Sequence, residues 1–223
     1  MAVEPIRFKD DFSAKSSEYM QKFNLAEFMT PIATNYSLWL TELRDELEEQ
    51  AWKIPNILKG LLRVDRIFTV GTGRSELMVR NTGMRLMHEY YEVHRISESY
   101  TPAIGNDPKH DDALLFYSGS GKTRLVISVE QIARDKGVLI YGVSSNRDSE
   151  AVKIAGEENV IITKGKRIYP NGIVPTEDNQ PISLLQTVSE FKAYVIGELI
   201  VSAIANAKGL TEKDLQNRHA NTE

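Results

Sequence analysis

Cysteine is absent from this 223-residue chain. That excludes disulfides, thiolate metal sites and a cysteine nucleophile. A chain that needs no bridges suits the cytoplasm, and a cytoplasmic location is expected. The first ten residues, Met1 to Asp10, lack the apolar core of a signal peptide. No uninterrupted apolar run is long enough to cross a bilayer, so no membrane partner is expected. An excess of positive charge is lacking too. The formal net charge is −4 with both signs interspersed, which argues against nucleic acid as the main partner. Any anion must therefore be held by a local site. The length suits one domain with an appendage, large enough to bury a core without staples.

What is present is a change of grammar along the chain. Residues 1–31 are weakly patterned but carry Phe8, Phe12, Tyr19, Phe23, Leu25, Phe28 and Met29. That is too much apolar surface for a free tail, so an arm packed on its own core or on a second copy is expected. A helix is expected from Thr34 or Asn35, either being a suitable cap. Its apolar stripe is Tyr36, Trp39, Leu40, Leu43, Leu47 and Ala51. Glu42, Asp45, Glu46, Glu48 and Glu49 read as a solvated face rather than a metal cluster. A short helix follows, with Pro55 in its first turn. Strands are then expected at 66–70, 91–96, 113–117, 138–143 and 160–163, with helices at 77–88, 124–136, 149–155 and 184–207. A short helix is expected from Thr211. Alternation of apolar strands with helices means a parallel sheet covered on both faces. Residues 164–180 form a long charged loop of the kind that often carries function.

Three strand ends carry small hydroxyl and glycine residues: Gly71-Thr-Gly-Arg-Ser75, Ser118-Gly-Ser-Gly-Lys-Thr123 and Ser144-Ser-Asn146. Ligands of parallel sheets bind at such ends. The helix opening after Thr123 adds free backbone N–H groups and partial positive charge, which suit an anion. Gly-Ser-Gly-Lys-Thr is not a nucleotide P-loop. The full pattern needs a glycine at position 116, where this chain has Phe116. A dinucleotide fingerprint starting at Gly71 would need a glycine at position 76, where Glu76 stands and would repel a pyrophosphate. One loop could be a mere turn, but three on one sheet edge point to a polar, phosphate-bearing ligand.

The chain resembles the sugar isomerase (SIS) domain family and, within it, the 6-phospho-3-hexuloisomerases. The matching stretches are Arg66-Ile-Phe-x-Val-Gly-x-Gly-Arg-Ser75, Met84-Arg-Leu-Met-His88, Glu98-x-x-Thr-Pro-x-Ile104, Ser118-Gly-Ser-Gly-x-Thr123, Ser145-Asn-x-Asp-Ser149 and Arg218-His-Ala-Asn-x-Glu223. They span about Arg66 to the C-terminus, while residues 1–50 are unmatched. The resemblance implies a three-layer α/β/α sandwich around a five-stranded parallel sheet, flavodoxin-like, assembled as a homodimer or homotetramer. The implied organisation is an N-terminal arm and helix (1–52), an SIS phosphosugar-binding domain (53–208) and a tail that completes the active site (209–223). Phosphate is implied on Ser118, Gly119, Ser120 and Thr123, with Ser75 nearby and Gly73, Arg74 and Ser145 as further binding residues. The implied reaction interconverts 3-hexulose 6-phosphate and fructose 6-phosphate, with no metal or organic cofactor. Another ketose or aldose phosphate, or sugar-phosphate binding without catalysis, remains an alternative.

Moving a carbonyl between neighbouring carbons passes through an enediol. A base must remove a carbon-bound proton and return it one carbon over, and an acid must serve the carbonyl oxygen. The resemblance implies a glutamate base near the start of the last long helix, after Pro-Leu-Gly-Thr-Leu-Phe. Here that stretch is Pro181-Ile-Ser-Leu-Leu-Gln186, and Thr187 holds the glutamate's position. Glu190 lies about one helical turn later on a similar face and is the first candidate. Glu98, in the matched Glu-x-x-Thr-Pro stretch, is the other carboxylate. His219, in the matched tail, is the candidate proton shuttle, with a solvated terminal histidine as the plain alternative. His88 is a weaker candidate, because a helix C-terminus favours an imidazolium for structural reasons alone. Arg74 is suited to stabilise enediolate charge.

Overall fold

The computed structural model describes residues 25–165 and 187–219. Residues 1–24 of the arm expected over 1–31, most of the 164–180 loop, the Pro181–Gln186 stretch and the last residues of the tail motif lie outside these. Two compact units divide the chain between Leu38 and Trp39, and the sheet with its helices belongs to the second.

Helix α1 (Leu25–Glu49) is followed by a 3₁₀ turn (Ala51–Lys53) and α2 (Ile54–Leu61), which has Pro55 in its first turn as expected. Five strands follow: β1 (Arg66–Val70), β2 (Glu92–Arg95), β3 (Asp112–Ser118), β4 (Leu139–Ser144) and β5 (Val160–Ile162). Between and after them run α3 (Arg74–His88), α4 (Arg124–Asp135), α5 (Glu150–Ala155), α6 (Thr187–Lys208) and α7 (Glu212–Gln216). Every pairing is parallel and the strand order is β2-β1-β3-β4-β5. This is the expected α/β/α sandwich. The order reverses between β1 and β3, so the crevice that a parallel sheet offers a ligand lies outside their carboxyl ends.

Side chains of a strand alternate between faces, and the core divides accordingly. Ile67, Leu115, Tyr117, Tyr141 and Ile161 face α1, α2, α3 and α6. Phe68, Leu114, Phe116, Ile140 and Val160 face α4 and α5. β3, central in the sheet, is buried at all positions, which is why its sequence reads as one apolar run. Helices α3 and α6 approach closely at Gly197, where a Cβ would stand 2.1 Å from Thr82 Oγ1.

Three expectations need correction. The first helix does not begin at Thr34 or Asn35: it begins at Leu25 and runs through Pro31. A proline can be carried there at the loss of one backbone hydrogen bond. Glu46 is not on a solvated face but is buried, and it pairs with Lys192 of α6 together with Glu42. The third concerns α4, whose apolar positions by helical spacing are Leu125, Ile127, Val129, Ile132 and Ala133: Leu125 and Ile132 are exposed, while Val126, Val129 and Ala133 fill the core.

Candidate phosphate-binding site at the carboxyl ends of the strands

The β3–α4 loop is shaped by its own hydroxyls. Ser118 Oγ accepts the Gly121 N–H at 3.2 Å and lies 3.4 Å from Thr123 Oγ1. Ser120 Oγ accepts the Lys122 N–H at 3.2 Å. Gly121 has φ +62°, and a Cβ there would sit 2.0 Å from Ser149 Oγ. The left-handed turn and the contact with α5 both require glycine. Thr123 stands at the N-cap of α4 in an extended conformation, yet its hydroxyl caps no helical N–H and the first turn holds no acidic residue. Ser149 Oγ accepts from Val152 N–H at the start of α5, and Thr211 and Asp214 form a capping box on α7, whereas α2 and α3 share with α4 the lack of a side-chain cap. The N-terminus of α4 is thus left with its partial positive charge and donors uncommitted to protein side chains, as an anion site requires.

The neighbouring strand ends converge on this loop. Ser145 N–H donates to Gly119 O at 3.0 Å, and Asn146 Nδ2 donates to Ser120 O at 3.2 Å. Ser145 Oγ lies 2.9 Å from Thr163 Oγ1 and donates to Ser189 Oγ at 3.0 Å. Ser75, Ser118, Gly119, Ser145, Thr163 and Ser189 line one small recess. From β1, Gly73 turns the chain at φ +58° so that α3 starts at Arg74.

Arg74 reaches across to the first turn of α6. Its Nη1 donates to Thr187 Oγ1 at 3.1 Å, and its Nη2 lies 3.1 Å from Glu190 Oε2. Glu190 Oε2 is buried and the contact is too poorly aligned to count as a hydrogen bond. Burial pushes the Glu190 carboxyl above the usual glutamate range, and the pull of Arg74 offsets only part of that rise. A base held partly desolvated beside a cation is suited to taking a carbon-bound proton while the cation receives the developing negative oxygen.

Arg74, Ser75, Ser118, Gly119, Ser145 and Glu190 thus come from the ends of β1, β3 and β4 and the start of α6. His219 stands apart within one chain, and Glu98 follows β2 on the carboxyl edge of the sheet, near Arg95 rather than Arg74 or Glu190. Glu98 is exposed and lies 3.9 Å from Arg95, which itself pairs with Glu76 of α3. His219 stacks on His88 with ring centroids 5.1 Å apart. That is the opposite end of the 15-residue α3 from Arg74, about 20 Å away. Thr163 and Ser189 were not anticipated. Thr163 follows β5 and was open to the same strand-end rule; Ser189 had no signal beyond its neighbour Glu190. Among the described residues, no cluster of three or more His, Asp or Glu could hold a metal.

No model of a known protein family matches the chain. An uncharacterised protein of Archaeoglobus fulgidus is 35% identical over 154 residues, 69% of this chain and 79% of that protein. The 3-hexulose-6-phosphate isomerase of Mycobacterium gastri is 30% identical over 199 residues, 86% of this chain and 92% of that enzyme. This chain belongs to the SIS phosphosugar isomerase superfamily. The crystal structure of a hypothetical protein, 30% identical, superposes with a TM-score of 0.74 over 88% of this SIS chain and 98% of that one.

Proposed function

We propose that the protein is a phosphosugar isomerase that interconverts 3-hexulose 6-phosphate and fructose 6-phosphate through an enediol. The observation that carries this reading is the meeting of an uncapped, hydroxyl-lined helix N-terminus with a partly buried glutamate held by an arginine. The similarity to a 3-hexulose-6-phosphate isomerase supports the choice of sugar. The phosphate is anchored by the hydroxyls of Ser118, Ser120 and Thr123 and by backbone N–H groups of Gly119 and the first turn of α4. Gly73, Ser75 and Ser145 complete the cradle. Glu190 removes the carbon-bound proton and returns it to the neighbouring carbon. Arg74 stabilises the enediolate oxygen. Arg74 must loosen its hold on Glu190 when substrate enters, and this frees both groups.

On this reading the protein works in the cytoplasm as a homodimer or homotetramer. The tail (209–223) of a second copy is then the natural source of His219 as a proton shuttle, and Glu98 lines the rim. Formation of fructose 6-phosphate from 3-hexulose 6-phosphate, followed with purified protein, tests the proposal. Absence of turnover by a correctly folded oligomer sinks it. A second reading, sugar-phosphate binding without catalysis, is favoured by one feature: Thr187 stands where a glutamate base is expected. It requires tight binding of fructose 6-phosphate with no uptake of solvent deuterium at carbon.

A further inference from the structure

Lys192 is fully buried in α6, two residues after Glu190. Its ammonium donates to Glu46 Oε1 at 2.6 Å, Glu42 Oε2 at 3.2 Å and the Lys164 carbonyl at 3.4 Å. The acceptors come from α1 and from the chain leaving β5. The next residue, Gly165, packs so closely that a Cβ would stand 2.3 Å from Ser189 Oγ and 2.6 Å from Ser145 Oγ. Trp39 of α1 meets Phe191 of α6 with ring centroids 6.1 Å apart, so the charged contact lies on a packed helix seam.

A buried lysine is a poor way to gain stability, because an apolar side chain would fill the same space without desolvating a charge. Its three donors, however, impose direction. They fix the rotation of α6 about its axis against α1 and hold Lys164–Gly165 over the hydroxyls of Ser145 and Ser189. We infer that the Lys192–Glu46–Glu42 triad is a positioning device that sets where Glu190 stands relative to the phosphate cradle. The inference rests on Glu190 being the base. The main anchors of the cradle, Ser118, Ser120 and Thr123, are held within the β3–α4 loop by bonds that do not involve the triad, so its loss separates binding from turnover: the phosphate still binds while the carboxylate is misaimed.

Glu46 Oε2 is buried without a partner among the described residues, so removing Lys192 alone would strand a carboxylate. The test is therefore the double variant K192M/E46M, which removes both charges. Three readouts apply: thermal unfolding, kcat and KM for fructose 6-phosphate, and amide hydrogen exchange at Gly165 and Phe191 to Ala193. The expected result is a melting temperature near or above the parent's, KM within about twofold, kcat at least tenfold lower, and exchange at those amides at least tenfold faster. A folded double variant with parental kcat, or with unchanged exchange, overturns the inference. If the parent protein itself turns over no phosphosugar, the isomerase reading fails alone, and the exchange measurement still decides whether the triad holds this segment. Should the double variant fail to fold, E46Q keeps an acceptor for Lys192 and removes one charge; kcat falling about threefold at constant KM is then expected, and parental kcat overturns the inference.

Discussion

The two ends of the sheet are both polar, and they use polarity in opposite ways. At the amino end, charges are paired off. Arg66 binds Asp112 through two contacts of 2.6 and 2.9 Å, and Asp112 also accepts the Gly105 N–H at 2.6 Å. Asp65 accepts from the Asp111 N–H at 3.0 Å and lies 2.7 Å from His110 Nδ1. At the carboxyl end the polar groups are mostly neutral hydroxyls that bond one another, and the start of α4 carries no cap. Donors spent on carboxylates cannot receive an anion; donors spent on hydroxyls can, because a hydroxyl rotates and gives up its partner at low cost. Charged pairs occur at this end too, Arg95 with Glu76 and Arg74 with Glu190, and the second is the pair to which we assign the chemistry.

This contrast can be broken from either side. At the amino end, Asp112→Ala strands the buried Arg66 and should lower stability by about 3–5 kcal/mol, measured by denaturant unfolding. Phosphosugar affinity of the folded fraction should be unchanged; a loss of affinity would mean the ends are not independent. At the carboxyl end, Gly121→Ala forces a Cβ into Ser149 and a left-handed φ on alanine. A stability loss of roughly 2–4 kcal/mol is expected from the strain and overpacking, with phosphosugar affinity down at least tenfold by calorimetry.

Helix α4 carries the same contrast along its own length. Beyond its open N-terminus, Glu130 is buried with both carboxylate oxygens unpartnered among the described residues. Burial, with a further push from Glu150, raises its pKa from 4.5 to about 8. The folded protein therefore keeps a proton that the unfolded chain has released between those values, so stability falls as pH rises through this window. The slope from this one group is at most about 1.4 kcal/mol per pH unit. Glu89, raised by burial to about 7, adds to the fall below that pH. Glu130→Gln should flatten unfolding free energy between pH 7 and 8, and an unchanged slope would contradict a neutral Glu130. The smallest effect is expected from Thr123→Ala, which removes one hydroxyl from the cradle. It should weaken phosphosugar binding by about 1 kcal/mol and leave kcat within twofold.

Much of the fold was legible because strand boundaries are set by burial. β1 has the bounds its apolar run implies, and the fully buried β3 could hardly be read otherwise. The start of α1 was not legible, because Pro31 reads locally as a break and only the backbone shows the helix passing through it. Glu46 was misassigned for a related reason: periodicity marks a helix face but not the lysine 146 residues away that meets it. The hydroxyl and glycine loops could be found by local pattern, since a strand end and its turn lie within a few residues. The bridge from Arg74 to Thr187 and Glu190 spans more than a hundred residues and carries no local signature. His219 shows the same limit from the other side. Its motif matches locally, but its place in the chain is set by docking on His88 at the far end of α3.

The central claim is that Glu190 takes a carbon-bound proton from a sugar whose phosphate sits on the Ser118–Thr123 loop. Fructose 6-phosphate incubated with the protein in heavy water, followed by NMR, tests it most directly. We predict deuterium at the two carbons between which the carbonyl moves with the parent protein, and a rate lower by about 10²–10⁴ with Glu190→Gln, at similar sugar affinity. Deuterium uptake by Glu190→Gln at the parental rate, or tight binding by the parent with no uptake, would contradict it.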